Sequence, residues 1–86
     1  MTKRFVYFYL MRPFPKQVQL VAPAHVEHWK AAHVEEYRGG PFADRSGGLI
    51  EFVTQDVQKA TDIVRNDPFV SAGLVEASWL KEWIPE

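Results

Sequence analysis

Seven consecutive apolar residues, Phe5-Val6-Tyr7-Phe8-Tyr9-Leu10-Met11, stand near the start of a chain of 86 residues. Nothing else in the sequence limits the fold so strongly. A strand with one wet face alternates apolar and polar side chains, because successive side chains point to opposite sides of the sheet. This run does not alternate, so a strand formed by it must be covered on both faces. Lys3 and Arg4 precede it, as in an export signal, but an aromatic-rich run of seven residues with no small-residue cleavage site after it does not make one. It is also far too short to span a bilayer. The expectation is a cytoplasmic protein with no membrane partner.

The 86 residues make a single domain, 1–86, and so small a domain buries too little surface to be stable without reinforcement. With no cysteine, neither disulfides nor a Cys-based zinc framework can supply it. Oligomerisation remains. The 10 Lys and Arg residues nearly balance the 11 Asp and Glu and are scattered, apart from Lys3-Arg4. That disfavours nucleic acid, which needs a clustered basic face.

Pro13 and Pro15 end the first strand, and residues 16–21 alternate weakly, as an extended loop or a short edge strand. Pro23 suits the first turn of a helix, where its missing N–H costs nothing. The spacing predicts a helix over 24–35, with Val26 and Trp29 on one face and Gly39-Gly40-Pro41 breaking it. Glu36-Tyr37-Arg38 reads as a short second strand and residues 44–48 as a loop. Residues 49–53 form a third strand, after which Thr54 is placed to cap a helix running to about Asn66. Val57, Ala60, Ile63 and Val64 give this helix one apolar stripe. Asp67-Pro68 stops it, since a residue before proline is pushed out of the α region. The last strand covers 74–84, with Trp79 and Trp83 on one face.

The order strand, helix, strand, strand, helix, strand is a ferredoxin-like βαββαβ arrangement, an α+β fold with an antiparallel sheet. Both helices carry a single apolar stripe, so both must lie on the same sheet face. The other face is then bare in one copy, although the first strand and two tryptophans make it apolar. Two copies packed back to back would cover it, giving a homodimer that closes into a dimeric α/β barrel, or a larger oligomer.

All three histidines, His25, His28 and His33, fall on the first predicted helix. His25 and His28 share a face, but His33 lies about 12 Å further along the axis than His25, so they do not make one metal site. No HExxH motif or carboxylate cluster completes one, and no metal is expected. His25 follows Pro23 closely, where the positive end of the helix dipole would favour the neutral imidazole that a general base needs. A histidine that merely packs or caps fits the same spacing. Asp67 is the best-placed carboxylate, because Pro68 restricts its backbone and with it the side chain's direction. An inert Asp-Pro turn would look the same. Arg12 and Ser46 stand at element ends, where loops supply ligand contacts, or where solvent simply covers them.

The peptides Gly40-Pro41-Phe42, Gly47-Gly48-Leu49 and Asn66-Asp67-Pro68-Phe69-Val70-Ser71-Ala72-Gly73-Leu74-Val75, with His25-Val26 and Trp29 on the first helix, resemble the YCII-related family. The resemblance covers nearly the whole chain. It implies a dimeric α/β barrel and a His–Asp dyad on His25 and Asp67, with Pro68 orienting the aspartate. The first helix's register also admits His28 as the dyad histidine. The family's chemistry implies general acid/base proton abstraction on a small, hydroxylated ring substrate, lyase (dehydrochlorinase-like) or isomerase in type, with no cofactor. Arg12 and Ser46 would then hold the developing oxyanion, and His28 would assist. The alternative is a non-catalytic small-molecule binding or sensing domain of the same fold.

Overall fold

The computed structural model describes residues 1–86. Its elements are β1 (Lys3–Met11), α1 (Pro15–Ala31), β2 (Glu35–Pro41), β3 (Gly47–Thr54), α2 (Val57–Arg65), α3 (Pro68–Ser71) and β4 (Val75–Glu82). The four strands form one sheet in the order β2-β3-β1-β4, every neighbouring pair antiparallel. This is the ferredoxin-like α+β fold. β1 is an interior strand, paired with β3 on one edge and β4 on the other; of the two covered faces its apolar run led us to expect, one chain supplies the face under the helices.

Alternate residues of β1 point to opposite fates. Phe5, Tyr7 and Tyr9 are buried beneath the helices with Ile50, Phe52, Trp29, Ala60, Phe69 and Leu74. Phe8 faces the other way and is 36 % exposed, beside its cross-strand neighbours Leu49 and Trp79. The helices cover one face of the sheet; the other is open and apolar within one chain.

The first helix begins earlier than expected. Residues 16–21 are helical, because Pro15 rather than Pro23 occupies the first turn. Val18, Val21, Ala22, His25 and Trp29 form the stripe that packs on the core, at spacings of three and four. Val26 is off that stripe and 45 % exposed. Pro23 sits inside the helix on its exposed side. His25 is therefore eleventh of the 17 helical residues, and the helix-dipole argument for its neutral form falls away.

Other boundaries move as well: α1 stops at Ala31 rather than 35, and β4 covers Val75–Glu82, leaving Trp83 beyond it. Gly39-Gly40-Pro41 belongs to β2, an edge strand on which a terminal proline is tolerated. A bulge between Glu35 and Arg38, with Glu36 at φ 51°, re-aims that strand. Thr54 ends β3, and Asp56 caps α2 instead, its side chain accepting from the Lys59 N–H at 2.9 Å. Gly47 and Gly48 open β3 opposite Leu10 and Tyr9. No side chain fits at Gly47, where a Cβ would fall on the Tyr9 carbonyl oxygen.

Candidate active site

The site is built where α1 crosses the turn between α2 and α3. Pro68 holds Asp67 in an extended conformation (φ −62°, ψ 127°) at the N-cap of α3. The Asp67 carboxylate then turns back on its own helix and accepts the Phe69 N–H at 2.8 Å through Oδ1. From α1, His25 and Trp29 reach the same group, being four residues apart on one helix face. His25 Nδ1–H donates to both carboxylate oxygens at 2.9 Å, and Trp29 Nε1–H donates to Oδ2 at 2.8 Å. Asp67 is 1 % exposed and His25 is 8 % exposed. The His25 ring stacks on Phe69, centroids 4.2 Å apart, and meets Tyr9 edge-on.

Burial by itself would push the Asp67 carboxyl up. The bonds from His25 and Trp29, the charge of His25 and the Phe69 N–H outweigh it, and the group is held below its ordinary value. An ionised carboxylate only accepts hydrogen bonds, so the hydrogen must sit on His25 Nδ1. In the neutral ring Nε2 then carries the free lone pair. Tyr9 and Tyr37 are pushed upward, and Tyr7 is pushed up to about 12, each by burial first and then by Asp67's charge. Tyr9 meets the His25 ring while Tyr7 and Tyr37 stack on Trp29, all three as neutral hydroxyls.

A depressed carboxyl stabilises the fold above its unfolded value and loses that contribution as pH falls through the folded one. Stability in urea should therefore begin to fall near the ordinary carboxylate value of about 3.9 and go on falling below it. The same acid limb should be shallower in Asp67→Asn. Parallel limbs in the two chains would place the acid sensitivity elsewhere.

The other expected site residues are not joined to this pair. His28 donates through Nε2–H to the Ile63 carbonyl at 2.8 Å, tying α1 to α2. That bond takes it away from Asp67, so His25 is the histidine paired with the aspartate. Ser46 is exposed, and its hydroxyl donates to Asp44 at 2.6 Å. Arg12 is exposed at the end of β1, and the neighbouring Met11 N–H bonds the Ser46 carbonyl at 2.8 Å. His33 lies beyond the end of α1 (Ala31) rather than on it, exposed at φ 55°. No three His, Asp or Glu side chains converge as a metal site. Trp29 is the partner that sequence reasoning missed; its spacing of four from His25 was the available signal. A groove of about 710 Å³ lies on the open sheet face, lined by Val6, Arg38, Leu49, Glu51 and Trp83 among others.

A four-stranded ferredoxin-like sheet with its helices on one face defines the class of the fold. The YCII-related domain matches residues 7–84, and the chain belongs to that family. Among solved structures it is similar to a 5-chloro-2-hydroxyhydroquinone dehydrochlorinase from Burkholderia phenoliruptrix in complex with 2,5-dihydroxybenzoquinone. The two share 25 % identity over 94 % of this chain and 93 % of that one, with a TM-score of 0.78. It is similar in fold to a dabb-family protein with a ferredoxin-like fold from Mesorhizobium loti, at 10 % identity over 99 % and 97 % of the two chains (TM-score 0.63). A dimeric ferredoxin-like protein of unknown function from Bacteroides fragilis aligns at 9 % identity over 95 % and 94 % (TM-score 0.61). No curated protein matches the chain at a significant level. No helix is long and apolar enough to cross a membrane.

Proposed function

We propose that the chain is a small enzyme of lyase or isomerase type in which His25 abstracts a proton from a hydroxylated ring substrate. The buried bond from His25 Nδ1–H to an ionised Asp67 carries the reading. It leaves Nε2 as the base, and the carboxylate stabilises the imidazolium once formed. Nε2 takes a proton from an acidic O–H or C–H. The electron pair left behind moves into the ring and takes the proton back from the imidazolium at another carbon, giving a tautomer; where that carbon carries a halide, loss of a second hydroxyl proton to the regenerated Nε2 expels it as the halide ion. Each step uses only this chain's own groups. Arg12 and Ser46, neighbours at one end of the sheet through the Met11–Ser46 bond, are the proposed oxyanion holders, with Ser46 exchanging Asp44 for substrate. The dehydrochlorinase relative and its bound dihydroxybenzoquinone support the substrate class. The working unit is a homodimer formed through the open sheet face, whose exposed Phe8, Leu49, Trp79 and Trp83 ask for cover.

The test uses 2,5-dihydroxybenzoquinone and a panel of small hydroxylated quinones and phenols in D₂O. The wild-type chain should exchange carbon-bound hydrogen or eliminate a leaving group from at least one of them. His25→Ala should be slower by about 10²–10⁴-fold. Equal rates in the two chains, or no reaction across the panel, would overturn the proposal.

A further inference from the structure

The donors around Asp67 are not equivalent. The Phe69 N–H on Oδ1 belongs to the turn itself and forms wherever this Asp-Pro cap forms. The Trp29 indole N–H on Oδ2 comes from α1, a separate element. With one anchor on each oxygen, the carboxylate cannot rotate about its Cβ–Cγ bond without losing a bond. His25 Nδ1 lies 2.9 Å from both oxygens, between the two anchors in the chain's bonding pattern.

Trp29 is suited to this beyond ordinary packing. It is 2 % exposed, and its ring is held by Tyr7 at 6.3 Å, Tyr37 at 6.1 Å and Phe52 at 5.2 Å. Those contacts need an aromatic ring; they do not need an N–H. An indole N–H can only donate, so a buried one demands an acceptor, and Asp67 is the acceptor it has.

Resting on the dyad reading above, we propose that Trp29 is a positioning residue, its indole N–H orienting the Asp67 carboxylate toward His25 and sharing its negative charge. The titratable groups around the carboxylate are His25 from α1, Tyr7 and Tyr9 from β1 and Tyr37 from β2. The tyrosines are pushed upward and stay neutral. His28 is engaged with the Ile63 carbonyl. His25 is thus the one basic side chain bonded to the carboxylate.

The test replaces Trp29 with benzothienylalanine, which keeps the bicyclic ring and puts sulfur where the N–H was, alongside Trp29→Phe. The Asp67 ¹³Cγ resonance is followed from neutral pH to the acid limit of the fold. With one donor gone, protonation should begin about one pH unit higher than in the wild type. The His25 Nδ1–H proton should move downfield, since the carboxylate now accepts more strongly from it. Trp29→Phe should show the same shift together with a lower unfolding temperature, the second effect coming from lost packing. An Asp67 titration unchanged by the sulfur substitution would overturn the proposal. Because the measurement needs no substrate, a raised onset in a protein that catalyses no exchange would sink the enzyme reading and leave the role of Trp29 standing.

Discussion

Asp67→Asn should lower turnover by about 10²–10⁴-fold while the chain still folds. The carboxylate takes three donors at once: His25 Nδ1–H, Trp29 Nε1–H and the Phe69 N–H. Asparagine has one carbonyl oxygen and an amide that donates. Its oxygen can keep the backbone cap, but its amide must then face the histidine or the indole. Facing the histidine, it makes Nδ1 an acceptor and moves the ring hydrogen to Nε2. The lone pair at Nε2 is lost and with it the base. Asp67→Ala goes further, since all three donors lose their acceptor in a buried site. Each such orphan costs about 1–3 kcal/mol, against the 5–15 kcal/mol that holds a small domain together. The alanine chain should therefore be close to unfolded, whereas the asparagine chain melts cooperatively and is inactive. An active Asp67→Asn protein would contradict the dyad.

If the proposed dimer forms through the open sheet face, Phe8→Glu should sediment as a monomer of 9.9 kDa where the wild-type chain sediments at twice that mass. Phe8 stands at the apolar end of the open face, edge-on to Trp79 at 5.3 Å and tilted against Phe42 at 5.1 Å. Towards the other end of the same face the charges compensate one another: Arg4 bonds Glu36 at 2.7 Å, and Arg4 and Arg38 both lie near Glu51. The apolar end is thus where a second copy gains most. Truncating an anchoring aromatic costs about 2 kcal/mol or more, which is about 30-fold in the dissociation constant. A buried carboxylate in its place adds a desolvation penalty. The variant should keep its own fold, because Phe8 makes no part of the core under the helices. A dimer of unchanged affinity in Phe8→Glu would move the interface off this face.

Much of the architecture was legible because it follows from patterns that local chemistry enforces. The unalternating run of β1 demanded cover on both faces, of which one chain supplies one, and the stripe of α2 demanded a single covering layer. The start of α1 was ambiguous for a definite reason: Pro15 and Pro23 both suit a first turn. The apolar stripe that decides between them includes polar His25, while exposed Leu20 and Val26 blur it. Only residues 36–38 of β2 were legible, because all seven of its residues are exposed, leaving no periodicity to mark its extent. α3 has four residues, too few for any helical pattern.

The site was legible to a different degree. Helix position suggested His25 for a reason that does not hold, since it lies mid-helix. The Asp-Pro constraint on Asp67 did hold, and the extended backbone it demands is present. Their meeting could not be read from spacing, because 42 residues separate them and only the packing of α1 on the α2–α3 turn joins them. Resemblance to the YCII-related family supplied the pair. It did not supply Trp29.

The ring nitrogens of His25 offer the most direct test of the account. A ¹⁵N spectrum of the wild-type chain, taken at a pH where the ring is neutral, distinguishes a protonated from an unprotonated nitrogen. Nδ1 should appear protonated, coupled to a hydrogen shared with Asp67, and Nε2 unprotonated. The reverse pattern, with the hydrogen on Nε2, would mean that Asp67 does not hold the imidazole as a base, and the proposed chemistry would fail with it.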